Sequence, residues 1–106
     1  MCAAPAAFRE LDAADRLRDS DVNPYYIGEL RRRVSVARVG GKLYAFDDLY
    51  EGCPLSAGLL TGTTLMSQHD GSLFDISSGA VLRGPARRAL GTYPARERAG
   101  KIEVCI

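Results

Sequence analysis

Residues 32–47 read RRVSVARVGGKLYAFD. Val34 and Val36 alternate with Ser35 and Ala37, Gly40-Gly41 follows, and Leu43, Tyr44 and Phe46 continue on the far side. Alternation in two short runs predicts a pair of strands. A Gly-Gly pair between them supplies the positive φ angles of a two-residue hairpin turn. This feature commits the middle of the chain to antiparallel sheet. The C-terminus repeats it: Tyr93 to Glu97 leads into Ala99-Gly100, and KIEVCI then sets Ile102, Val104 and Ile106 on one face. LFDISSGAVL, residues 73–82, predicts a third hairpin turning at Ser77-Ser78-Gly79. Helical character is confined to residues 10–19, where Asp12, Asp15 and Asp19 limit it to a turn. Short strands at this spacing, punctuated by glycine, predict an all-β antiparallel sandwich or small barrel with long loops.

The 106 residues show no repeat, linker or shift of composition, so a single domain spanning 1–106 is expected. The formal net charge is +1, from 14 basic against 13 acidic residues. That balance lacks the basic surplus of a nucleic-acid-binding domain. No apolar run approaches the roughly 18 residues that a membrane helix needs. MCAAPAAFRELDAADRL carries no basic leader followed by a long apolar stretch, so no secretory signal is expected. Cys2, Cys53 and Cys105 have no C-x-x-C spacing, which argues against zinc and thiol–disulfide motifs. An odd count without a leader fits a reducing compartment, and a cytoplasmic location is expected. Lysine occurs only at Lys42 and Lys101, and arginine dominates, as in proteins of GC-rich genomes such as those of actinobacteria.

From about residue 30 to the end, the order and spacing of VARVGGKLYAFDD, GCPLSAGLLTGTT, GSLFDISSGAVLRGPA and TYPARERAGKIEV resemble a Rieske [2Fe–2S] ferredoxin. The resemblance implies a Rieske-like β-sandwich with two ligand loops at one end. In that family two Cys thiolates hold one iron and two His imidazoles the other. The first loop carries C-x-H after the equivalent of Asp47-Asp48-Leu49. Here the chain reads DDLYEGCPLS, with Tyr50 in place of the triplet and two residues fewer. The second loop carries C-x-x-H before the equivalent of Gly71-Ser72. Aligned on GSLFD, Ser67 takes the cysteine position and Asp70 the histidine position; a shifted alignment uses Met66 and His69 instead. Neither restores a thiolate, and a hydroxyl and a carboxylate do not replace a thiolate and an imidazole for iron–sulfur binding. No cluster, no other metal and no cofactor is therefore expected. Cys53 falls where some members place a second loop cysteine that forms a disulfide, and the partner slot holds His69.

The residues at the old ligand positions are the candidate site. His69, the one histidine, is either a solvated remnant or a general base working near neutral pH. Asp70 caps the following turn or orients His69. Tyr50 and Glu51 either shorten a surface loop or form an aromatic and anionic pocket wall. These four are the candidate catalytic groups. Cys53 and Ser67 border the same vacancy, Arg83 and Arg87 flank GPARRAL, and Tyr26 belongs to an upstream tyrosine pair; these five are candidate substrate-binding residues. The leading expectation is a cofactor-free enzyme that cyclises or rearranges a polyketide-like intermediate, similar to small cyclases of actinobacterial polyether and tetronate pathways. Its partners are then a small-molecule substrate and no nucleic acid or membrane, with a homodimer allowed. The alternatives are a non-redox accessory subunit of an oxidoreductase and a Rieske electron carrier.

Overall fold

The computed structural model describes residues 7–106. Thirteen short strands account for its regular structure, with three single turns of 3-10 helix between them. Strands β2 (Val22–Ile27), β3 (Arg32–Val39), β4 (Lys42–Asp47) and β11 (Thr92–Tyr93) form a central antiparallel sheet in the order β11-β4-β3-β2. Its centre is the expected hairpin: Val39 pairs with Lys42 across Gly40 (φ 59°) and Gly41 (φ 81°). Strands β1 (Phe8–Ala13), β13 (Lys101–Cys105) and β12 (Ala95–Arg98) form a second sheet on one side, in the order β1-β13-β12. Strands β7 (Leu59–Thr61), β8 (Thr64–Met66), β9 (Leu73–Asp75) and β10 (Val81–Arg83) form a third, in chain order. The two-residue strands β5 (Leu49–Tyr50) and β6 (Cys53–Pro54) make a separate small hairpin.

The central sheet is covered on both faces. Val34, Ser35, Val36 and Ala37 are all buried. Val34 and Val36 pack with Leu43, Ala45, Ile102 and Val104 in one core. Ala37 and Phe46 join Leu55, Leu65, Phe74 and Ile76 in the other. Small Ser35 and Ala37 let the third sheet approach the strand closely, as in a strand buried on both faces. The single helical turn expected within 10–19 forms at Ala14–Arg16, but two further 3-10 turns, Gly28–Leu30 and Leu55–Ala57, lie outside that stretch, and residues 8–13 form a strand paired with β13, Phe8 opposite Cys105. An available sheet edge outweighs weak local helix propensity. Both other hairpins form as expected, at Ala99-Gly100 and through the turn after Asp75. Cys105 is disulfide-bonded, against the expectation of reduced thiols, and among the described residues Cys53 is the free cysteine. No helix of the described residues is long and apolar enough to cross a membrane.

Candidate functional site

Three segments meet at the end of the molecule where the resemblance implies the two ligand loops. They are the β5–β6 hairpin, the turn from Ser67 to Ser72, and the loop from Gly84 to Leu90. Asp48 sets the first. It is fully buried, its amide donates to the Arg33 carbonyl (3.1 Å) and its carbonyl accepts from the Leu55 amide (2.5 Å). Its carboxylate accepts from the Ser35 hydroxyl (2.6 Å), the Ser56 amide (2.9 Å) and the Arg33 guanidinium. Burial pushes this carboxyl up, but the Ser35 and Ser56 hydrogen bonds together with Arg33 outweigh burial and hold it below the usual range. From this base the hairpin turns in two residues, with Tyr50 opposite Cys53 and both Glu51 (φ 51°) and Gly52 (φ 77°) left-handed. The connection is therefore a tight two-residue turn.

The second segment satisfies its own backbone. The Ser67 amide donates to the Ser72 carbonyl, and the Gly71 amide returns to the Ser67 carbonyl, both at 2.9 Å. Ser67 Oγ accepts from the His69 amide (3.1 Å) and Asp70 Oδ1 from the Ser72 amide (2.9 Å), so Asp70 caps this turn as expected.

Tyr50 joins the two segments. Its hydroxyl donates to Asp70 Oδ2 at 2.6 Å and lies 3.5 Å from Ser72 Oγ. Its ring stands edge-on to Phe74 (centroids 5.3 Å apart) and to His69 (6.0 Å). The bond to the carboxylate favours the neutral phenol and raises the Tyr50 pKa; the same bond favours ionised Asp70 and lowers its pKa. At neutral pH the pair is thus phenol and carboxylate, with the proton held on Tyr50. Buried Ser72 ties in the third segment, its Oγ accepting from the Ala86 amide at 2.9 Å.

The structure brings Tyr50, His69 and Asp70 together and leaves other candidates apart. Glu51 projects from the turn and is exposed. Ser67 is buried and serves the backbone of its own turn. Cys53 faces Tyr50 across the hairpin as a free thiol and makes no hydrogen bond with His69. Tyr26 is 67% exposed and lines a crevice of about 250 Å³ with Arg9 and Glu29, between β1 and β2 and separate from the tip, so it is no part of this site. Arg83 is exposed on β10, while Arg87 lines the tip. Ser72 and Phe74 were missed as site residues; their only trace in the sequence is the retained GSLFD. A solvent-open groove of about 760 Å³ runs between Leu49-Tyr50-Glu51 and Pro85 to Leu90.

The fold resemblance implies a [2Fe–2S] cluster bridging the two loops through two thiolates and two imidazoles. The donors at this tip are a phenol, a carboxylate, two serine hydroxyls, one imidazole and, across the hairpin, one thiol. Among the described residues no three His, Cys, Asp or Glu side chains converge on a common point. The residues present do not fit that cluster.

No protein-family model matches the chain, and no curated protein matches it. Solved structures do. A ferredoxin from Sphingomonas yanoikuyae B1 is 25% identical, with 94% of this chain and 97% of that one covered and a TM-score of 0.82. A chain from the complex of reduced oxygenase and oxidized ferredoxin in carbazole 1,9a-dioxygenase is 23% identical over 92% of each chain, with a TM-score of 0.82. A Mycobacterium tuberculosis protein described as an NADH-dependent nitrite reductase small subunit is 22% identical, covering 95% of this chain and 96% of that one, with a TM-score of 0.83. The architecture is all-β and antiparallel, with the fold of Rieske-type ferredoxins.

Proposed function

We propose that this chain is a non-redox, partner-binding subunit: a ferredoxin scaffold whose cluster loops have become a hydrogen-bonded cap. The observation that carries the reading is the 2.6 Å bond from Tyr50 to Asp70, made across the gap that a cluster would bridge. The phenol and carboxylate hold each other, and the remaining donors supply neither two thiolates nor two imidazoles. An electron carrier on this fold needs both pairs. The scaffold itself supports partnership, because the similar chains include a ferredoxin in complex with an oxygenase and a reductase small subunit. Iron and sulfide analysis with a visible spectrum tests the first half. Colourless protein without stoichiometric iron is expected; an iron–sulfur spectrum that bleaches on reduction would restore the electron carrier. Native mass spectrometry of the protein isolated from its source tests the second half. A stoichiometric complex with a larger oxidoreductase is expected, and a lone monomer or a homodimer would sink the reading.

A second reading, cofactor-free cyclisation or rearrangement of a polyketide-like intermediate, draws on one observation. The groove beside Tyr50 carries Glu51 and Arg87 within reach of an organic ligand. In that case the groove would hold the reacting ends together, and Arg87 would bind a carboxylate or enolate. Tyr50 would donate its proton only after the substrate displaced Asp70. Deleting the gene and finding an accumulated isomer of a natural product would favour this reading over the docking subunit.

A further inference from the structure

The groove at the tip has a polarity that narrows what docks there; this inference rests on the docking reading above. Six arginines of the fold are neutralised internally: Arg9 by Glu29, Arg16 by Asp12, Arg32 by Asp47, Arg33 by Asp48, Arg38 by Glu97 and Arg96 by Glu103. Among the described residues, Arg83, Arg87 and Arg88 have neither an ion pair nor a side-chain hydrogen bond. They stand in a stretch, residues 76–95, that holds these three arginines and no acidic residue. In a chain whose net charge is only +1, this is a local concentration of unpaired positive charge.

The backbone beneath it is fixed. Ala86 is buried and bonded to Ser72 Oγ (2.9 Å), and the Leu90 amide donates to the Gly79 carbonyl (2.8 Å). A Cβ on Gly79, whose φ is 83°, would sit 2.2 Å from the Leu90 carbonyl oxygen, so glycine alone permits this closure. Arg87 and Arg88 are thus presented on an ordered loop, which lowers the cost of ordering on association. The opposite wall supplies Leu49, 52% exposed, Asp47, whose charge is taken by Arg32, and Glu51, which pairs with neither arginine.

We infer that the 83–88 loop recognises an acidic surface on a protein partner. Arg87 and Arg88 take its carboxylates, Leu49 supplies apolar contact, and Glu51 repels a carboxylate on the far wall and so sets the orientation. Guanidinium forks bind carboxylates bidentately, and a like charge across a groove fixes register. Nucleic acid fits less well: the aromatic ring at the groove, Tyr50, is engaged with Phe74 and His69 and is not free to stack on a base.

The test uses the intact protein and a fluorescein-labelled octaglutamate peptide ending in leucine, titrated by anisotropy at low and at physiological salt. The Arg87→Glu/Arg88→Glu variant is expected to weaken binding about tenfold or more. Arg18→Glu/Arg98→Glu, at unpaired arginines elsewhere, is expected to leave it within about twofold. Equal loss in both variants, or equally tight binding of oligothymidylate of the same charge, would overturn the inference. Thermal melts check that both variants fold; if the first does not, displacement of Ala86 and Leu49 amide resonances by the peptide in the unaltered protein decides. A native partner complex that survives Arg87→Glu/Arg88→Glu unchanged would refute the inference and leave the docking reading standing. Absence of any complex would refute the docking reading, while the peptide result still judges the loop.

Discussion

The two ends of this molecule are held together by different physics. At the base, β13 lays Ile102 and Val104 against Val34, Val36, Leu43 and Ala45, and the contacts are apolar and non-directional. At the tip, the loops are joined by Tyr50 on Asp70, Ala86 on Ser72 and Ser56 on Asp48, each a directed polar bond. Apolar packing tolerates exchange among residues of similar volume. A polar hub does not, because removing one partner strands another. A tip can therefore be rebuilt with new donors while the base continues to specify the same fold.

The contrast can be broken first at the base. Ile102→Ala removes a fully buried side chain and is expected to cost about 2–5 kcal/mol, read by chemical denaturation. The tip hydrogen bonds should survive it, and amide exchange at Gly71 and Ala86 should follow only the global loss. Next comes Ser72→Ala, which leaves the Ala86 amide without its acceptor in a buried position and should cost about 1–3 kcal/mol. A cost near zero would show that water or a neighbour replaces Ser72 and that the hub is not directional.

Acid probes the tip next, since the depressed carboxylates lie there and at the end of β9. Asp48, Asp70 and Asp75 are all held below their ordinary values. A lowered folded pKa means stability fully present above the unfolded value, about 3.9 for Asp, and lost as the pH falls through the folded value. Melting midpoints should therefore be level near neutrality and drop below about pH 4. Asp48→Asn should flatten part of that drop, and an unchanged acid limb would remove Asp48 from the account. Tyr50→Phe should have the smallest global effect. It keeps the ring on Phe74 and deletes only the hydroxyl. Local exchange at Gly71 and Ser72 should rise roughly 3- to 10-fold with the base unaltered.

Much of the scaffold was legible because turn chemistry is local. Gly40-Gly41 and Ala99-Gly100 name their hairpins with two residues each. The strand at 8–13 was not legible, since FRELDA carries no β pattern and gains its conformation by pairing with β13, more than eighty positions away. The second buried face of β3 was hidden for a related reason: Ser35 reads as polar until Asp48 is seen to accept its hydroxyl. At the tip, the mismatch with ligand motifs pointed to Tyr50, His69 and Asp70. Ser72 and Phe74 looked like scaffold, and their contacts with Tyr50 arise only when loops distant in sequence fold together. Tyr26 was drawn in by residue type alone, and the register of β2 carries it elsewhere.

The central sheet has one more consequence. Because β3 and β4 contribute to both cores, neither half of the molecule owns a complete set of walls. Melting one core exposes the back of the other, so the two should unfold as one cooperative unit in spite of their different chemistry. Tyr25 packs against the first core and Tyr50 against the second, which gives each half its own spectroscopic reporter. Coincident transitions at the two would mark a scaffold that fails only as a whole, and hence one on which a tip can be altered piece by piece without the fold coming apart in stages.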